Sequence, residues 1–227
     1  MKNVLYIGNA LSKKGKNTTS IETLGKRLGD FCSIKTSSSK SNKILRLIDM
    51  VRQLVINRSW ADYVLIDTYS TTNFYYAFII SQISRIMNVK YIPILHGGNL
   101  ENRLKKTSRL SKMIFENAYR LVSPSKYLES IFKKYGYKNL EYIPNTIEIR
   151  DFKFFNRDID IIKLFWLRSF ASIYNPYMAI LVLEELIIRG YNPELVMIGP
   201  EIDQSMKITK QLALEKSLNV KFFGKFR

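Results

Sequence analysis

The sequence predicts an α/β fold made of two successive parallel sheets wrapped by helices, the second of them incomplete. Three observations carry this reading. Short apolar runs rich in Val, Ile, Leu and Tyr alternate with helical periodicities at βαβ spacing. The runs stop abruptly at Gly, Pro, Asn or Ser, as strands do where a chain turns. Around Tyr142–Arg168 a polar, mixed-charge segment interrupts the alternation, and the pattern then restarts. The halves are therefore set at residues 1–150 and 151–227.

Taken in order, Asn3–Ile7 is an apolar strand that Gly8 and Asn9 end. A loop of Ser, Lys, Gly, Asn and Thr leads to a helix opening at Ser20 and running through Leu24 and Leu28. Strand, glycine loop and helix start form an arrangement whose backbone N–H groups can face an anion. Gly15-Lys16 suggests a nucleotide-hydrolysing loop, but the spacing from Gly8 is too long. Asn17 also stands where a magnesium-holding Ser or Thr is needed. A loop that approaches a ligand, with Gly8, Asn9, Gly15, Asn17 and Thr18 on it, is the reading retained.

Phe31–Lys35 reads as a second strand. Lys43–Ile56 reads as a helix with one buried stripe of Ile44, Leu47, Ile48, Val51, Leu54 and Val55. Tyr63–Ile66 is a strand closed by Asp67, Phe74–Met87 a helix, and Val89–Leu95 a strand leading into His96-Gly97-Gly98-Asn99. His96 is the sole histidine. A lone histidine is commonly a satisfied structural residue, but this one stands at the carboxyl end of a strand beside two glycines, where open α/β sheets bind ligands.

A helical run then extends to about Tyr119. Arg120–Ser125 holds a strand and a helix cap for Lys126–Tyr135, Gly136 stops that helix, and Leu140–Ile143 is the last strand of the half. Pro144 cannot donate to a ladder, and Pro144-Asn145 reads as a hinge. Ile161–Leu167 is a buried strand that delivers Arg168 at its carboxyl end. Asn175-Pro176 opens a helix that Gly190 ends. Leu195–Ile198 is a strand closed by Gly199-Pro200, a helix covers about Gln204–Leu214, and Val220–Phe223 is a third strand.

Composition narrows the classes. With 227 residues, 46% apolar and 13% aromatic, the chain buries one large core or two smaller ones and is no disordered polymer. No apolar run approaches the roughly 18 to 20 residues of a membrane span, and the amino terminus is too short in apolar residues for a secretory signal. A single cysteine excludes an internal disulfide and makes the cytoplasm the default compartment. The net charge of +17 is concentrated: residues 1–150 hold 25 Lys and Arg against 10 Asp and Glu, while 151–227 hold 11 against 9. Such a field attracts phosphates on nucleic acid, on anionic lipid headgroups or on a charged carrier. Aromatic and basic residues do not alternate in an RNA-binding signature and no zinc spacing occurs, so nucleic acid is not the expected partner.

The ordered series Val122-Ser-Pro-Ser-Lys-Tyr-Leu128, Gly136-Tyr137, Ile143-Pro-Asn145, Leu167-Arg168 and Val196-Met-Ile-Gly-Pro200 resembles family 4 of the retaining glycosyltransferases, which have the GT-B fold. The resemblance covers nearly the whole chain. It implies two Rossmann-like domains facing a cleft, acceptor bound by the first and nucleotide-sugar donor by the second. The implied activity is hexosyl transfer to a cell-envelope polysaccharide or glycolipid at the cytoplasmic membrane face, with no metal or other cofactor.

Carried over, the Gly8–Thr19 loop resembles the glycine loop facing donor phosphates and acceptor. His96 matches a histidine beside the transferred sugar, with Gly97, Gly98 and Asn145 on the same cleft, and Arg168, Gly199 and Pro200 match the donor-diphosphate side. Ile173 stands where the family has a second diphosphate cation, a lysine. The family's Glu-x7-Glu pair would fall beyond residue 227, so the chain resembles the first two thirds of such an enzyme. The alternatives are an inactive remnant and a non-catalytic module that binds phosphate or nucleic acid. Arg103, Lys105, Lys106, Arg109 and Lys112 crowd one helical stretch with Leu104, Leu110, Met113, Ile114 and Phe115, which reads as a basic amphipathic face toward an anionic membrane.

Overall fold

A computed structural model describes residues 1–14, 18–145, 149–156 and 161–225. Gly15 and Asn17 lie outside the described residues. The chain divides into two compact units, Met1–Glu148 and Ile149–Arg227.

Unit 1 is a parallel sheet of β1 (Asn3–Ile7), β2 (Ser33–Ser37), β3 (Tyr63–Tyr69), β4 (Lys90–His96), β5 (Leu121–Ser123) and β6 (Leu140–Tyr142), in the order β2-β1-β3-β4-β5-β6. Its helices are α1 (Ser20–Leu28), α2 (Lys43–Ile56), α3 (Asn73–Ile86), α4 (Leu100–Lys106), α5 (Ser108–Phe115) and α6 (Lys126–Lys134). Side chains alternate across the strands, so the sheet is buried on both faces. Leu5, Ile7, Val64 and Ile66 enter the larger core with Met50, Leu54, Phe74 and Ile80. Tyr6 and Ile94 point the other way, onto Ile21 of α1. Strand order reverses between β1 and β3, and at such a switch point the loops leave in opposite directions and open a crevice at the carboxyl ends.

Several boundaries differ from the sequence reading for local reasons. The amides of Phe31 and Cys32 both bond to Leu28 O and prolong the end of α1, which delays β2 to Ser33. β3 continues past Asp67 because β4 pairs with it as far as Tyr69↔His96. The helical run after Asn99 breaks at Thr107, where Thr107 Oγ1 and Ser111 Oγ both donate to Arg103 O. The largest correction concerns α2. It turns Arg46, Met50 and Leu54 inward, while Ile44, Ile48 and Val55 of the expected buried stripe are exposed. Arg46 can be buried because it donates to the carbonyls of Lys40 (2.7 Å) and Ser41 (2.8 Å) and to Asn9 Oδ1 (3.2 Å).

Unit 2 carries β7 (Lys163–Leu167), α7 (Tyr177–Ile188), β8 (Glu194–Ile198), α8 (Ser205–Glu215) and β9 (Val220–Phe223), its parallel strands ordered β7-β8-β9. Leu164, Trp166, Leu195 and Met197 face Ile180, Leu183 and Phe170. Phe165 and Leu167, on the other face of edge strand β7, are exposed. Asp203 organises the approach to α8: its carboxylate accepts from Ser205 N (2.8 Å), Ser172 N (2.9 Å) and Ser172 Oγ (2.8 Å). Hydrogen bonds from Ser205 and Ser172 hold the carboxyl well below the usual carboxylate range. A carboxyl depressed in this way contributes stability that is present above the ordinary carboxylate range and lost as pH falls through the folded value. Asp203→Ala should therefore lower the melting temperature at neutral pH, with the gap to wild type closing in acid. A gap independent of pH would show that the charge is not involved.

Candidate functional site

The switch point between β1 and β3 gathers a buried polar cluster on the α1 side of the sheet. Asp67 is the centre. Its Oδ1 accepts from Tyr6 Oη (2.8 Å) and lies 2.8 Å from His96 Nε2. These residues share a face because Asp67 is two residues beyond Leu65, which packs against the Tyr6, Ile21 and Ile94 cluster, and His96 is two beyond Ile94. His96 also stacks on Tyr69, with ring centroids 4.7 Å apart. Burial, and secondly the Asp67 charge, raise the Tyr6 hydroxyl far above its ordinary value and push Tyr69 up to about 12. Both phenols are thus donors and not bases at neutral pH.

Asp67 Oδ2 is a fully buried oxygen with no hydrogen-bond partner, the one such side-chain atom among the described residues. It lies against Gly8, where an added Cβ would collide with it. Gly8 is thus glycine because a carboxylate occupies the space a side chain would need. Leaving such an acceptor unmet costs about 1 to 3 kcal/mol, and that cost is tolerated where a ligand or water meets it.

Beside this cluster a cavity of about 250 Å³ opens at the carboxyl end of the sheet. His96 lines it, together with Thr18, Thr19 and Ser20 at the start of α1 and Pro144 and Asn145 after β6. The ends of β4, β5 and β6 and the start of α1 converge on it, and its walls offer hydroxyls, one imidazole and one carboxamide. The α1 start is braced from within. Glu22 accepts from the amides of Thr19 (3.1 Å) and Ser12 (3.0 Å). Burial raises the Glu22 carboxyl, but the hydrogen bonds from Ser12 and Thr19 prevail and lower it. Thr19 Oγ1 donates to Asn9 O, and Asn9 Oδ1 receives Arg46, so the loop after β1 is tied to α1 and α2.

Of the residues singled out from sequence, His96, Thr18 and Asn145 line one cavity, while Gly8 and Asn9 form its supporting loop. Gly97, with φ of +80°, and Gly98 leave β4 exposed to solvent. In unit 2, Arg168 follows β7 directly, is exposed, and rests its guanidinium over Tyr174 at 4.5 Å from the ring centroid. Gly199 packs so closely on Arg168 O that any Cβ would collide with it, and Pro200 O accepts from Phe170 N. These two residues shape the backbone under Arg168.

The basic stretch of α4 and α5 is corrected in part. Arg103 is spent inside unit 1, donating to Ser70 O (2.7 Å) and lying over Phe74 and Tyr75. Lys105 pairs with Glu101 at 2.8 Å. Lys106, Arg109 and Lys112 are exposed, but Leu104, Ile114 and Phe115 are buried in the core, and so offer nothing apolar to a membrane. Among the described residues no helix is long and apolar enough to cross a bilayer.

Asp67, Tyr6 and Arg46 were not anticipated as site residues. A tyrosine inside an otherwise aliphatic strand was the available signal, because a buried phenol needs a partner. The Asp67 contact makes a direct prediction. Since Oδ1 already accepts from Tyr6, His96 should carry its proton on Nε2 in the neutral ring. As the sole histidine, it gives unambiguous nitrogen NMR signals. Asp67→Asn should change the tautomer balance markedly. Protonation on Nδ1 in wild type would refute the arrangement.

No family model matches the chain, and no curated protein matches it. Solved structures do. The chain is similar to the apo form of the lipopolysaccharide outer core galactosyltransferase WaaB, at 12% identity and a TM-score of 0.57, over 99% of this chain and 68% of that one. It is similar to the UDP co-structure of S. aureus MnaA at 14% identity and a TM-score of 0.55, over 100% and 69%. A structure described as a UDP-N-acetylglucosamine 2-epimerase from Listeria monocytogenes matches at 13% identity and a TM-score of 0.51, over 99% and 69%. The fold is GT-B, with a Rossmann-like parallel sheet in each unit.

Proposed function

We propose that the chain is a retaining sugar transferase of the family 4 type, moving a hexose from a nucleotide-sugar donor to a cell-envelope polysaccharide or glycolipid at the cytoplasmic membrane face. The observation that carries this is His96, locked by Asp67 and Tyr69 at the wall of a hydroxyl-lined cavity on the switch-point side of the sheet. A preformed, buried hydrogen-bonding ring of this kind stabilises a transition state without reorganising when the reaction occurs. In this reading His96 contacts the transferred sugar, the Thr18–Thr19 hydroxyls and Asn145 receive polar ligand groups, and Arg168 pairs with the donor diphosphate. A departing nucleoside diphosphate gains negative charge, so a fixed arginine favours the transition state over the ground state.

UDP is the first nucleotide to test, because it is the one named for a structure of this fold. Calorimetric titration with UDP and other nucleoside diphosphates, followed by measuring nucleotide release from the corresponding sugar donors with and without glycolipid, decides the matter. Acceptor-dependent release supports transfer. Nucleotide binding with no release on any acceptor would favour the non-catalytic reading, and no binding of any nucleotide would remove the proposal.

A further inference from the structure

We propose that the exposed face of α2 is the surface by which unit 1 docks on an anionic lipid membrane. Ile44, Leu45, Ile48, Val55 and Ile56 are each between 42% and 70% exposed, although all are large and apolar. At about 100° per residue, they and exposed Arg52 fall within an arc of about 120°, forming a ridge about 18 Å long. An exposed apolar face of that kind, interrupted only by Arg52, marks an interaction site.

Charge decides what covers it. Lys40 and Lys43 stand before the ridge, Arg52 within it and Arg58 after it. All four are exposed, and none is paired with a carboxylate among the described residues. A second copy of this chain would bring the same basic rim against itself, on a molecule of net charge +17. An anionic lipid surface complements both parts: the isoleucines enter the acyl boundary while the long basic side chains reach back to the headgroups.

The helix is ready for this without folding on the membrane. Met50 and Leu54 anchor its opposite face in the core, and Asn42 Oδ1 caps its first turn by accepting from the amides of Ile44 (2.9 Å) and Leu45 (3.2 Å). The α4 and α5 stretch offers charge but keeps Leu104, Ile114 and Phe115 in the core and Leu110 and Met113 partly buried, so the two surfaces can be told apart by experiment. The inference deepens the membrane-face part of the proposed function, and vesicle binding can fail or succeed independently of any turnover measurement.

The test is sedimentation with vesicles of phosphatidylcholine alone and of phosphatidylcholine mixed with phosphatidylglycerol, at low and high salt, using wild type, Ile48→Ser/Ile56→Ser and Lys106→Ser/Arg109→Ser/Lys112→Ser. Wild type should pellet with the anionic vesicles and be weakened by salt. The α2 double variant should lose at least about tenfold in partitioning while melting at the wild-type temperature, because the replaced side chains are exposed. The α5-side triple variant should lose much less. Equal binding to both lipids, no binding to either, or an unchanged α2 variant overturns the proposal. So does a wild-type dimer in sedimentation velocity that the α2 substitutions split, since that would assign the ridge to a second copy.

Discussion

His96→Ala should lower the rate of sugar transfer on the order of a hundredfold while leaving nucleotide diphosphate affinity nearly unchanged. Under the proposed function the size follows from losing one preorganised hydrogen-bonding group at the reacting centre, and the selectivity from a ring that would act on the sugar and not on the diphosphate. The variant also withdraws a partner from Asp67 Oδ1, leaving a buried carboxylate held by Tyr6 alone. A drop in melting temperature is therefore expected beside the drop in turnover. Turnover must be expressed per folded molecule. If stability falls and turnover per folded molecule stays intact, His96 is a structural residue that happens to line a cavity, and the catalytic assignment fails.

Much of the fold was legible because its elements are locally encoded. The limits of β1, α1, α2 and β9 follow from apolar periodicity and from flanking Gly, Asn and Ser, all signals within a few residues of the element. The site was legible only where it coincided with punctuation, as at His96-Gly97-Gly98. In the sequence Asp67 shows only as the stop of a strand, because the contacts that give it meaning join it to Tyr6, 61 residues away, and to His96, 29 residues away. The α2 error has a similar cause. Its apolar residues outnumber what one core-facing stripe can hold, so periodicity shows a helix without saying which side is inward. Arg46 settled it through carbonyls of the preceding loop and Asn9, a pairing no hydropathy pattern encodes. α7 shows the same excess: nearly all its residues are apolar, yet only Ile180 and Leu183 are buried.

Arg168→Ala should weaken nucleoside diphosphate binding about tenfold or more, since one charge-assisted contact contributes roughly 1.5 to 3 kcal/mol. Arg168 is a cation held at the carboxyl end of β7. The residue follows β7 directly, its amide bonds to Ile198 O (3.1 Å), and Gly199 closes against its carbonyl, so the backbone is fixed while the side chain remains exposed. Tyr174 holds the guanidinium by a cation–π contact worth about 0.5 to 1 kcal/mol at an exposed site. Tyr174→Ala should therefore weaken binding by a factor of only about two to five. Ile173, where the resemblance would place a lysine, is exposed and supplies no charge, so under the proposed function Arg168 would meet the diphosphate without that second cation. Ile173→Lys should tighten binding in the wild-type background and partly rescue Arg168→Ala. Calorimetry on the wild type, the three single variants and the Ile173→Lys/Arg168→Ala double variant measures this directly, and an affinity indifferent to Arg168 would place the diphosphate elsewhere.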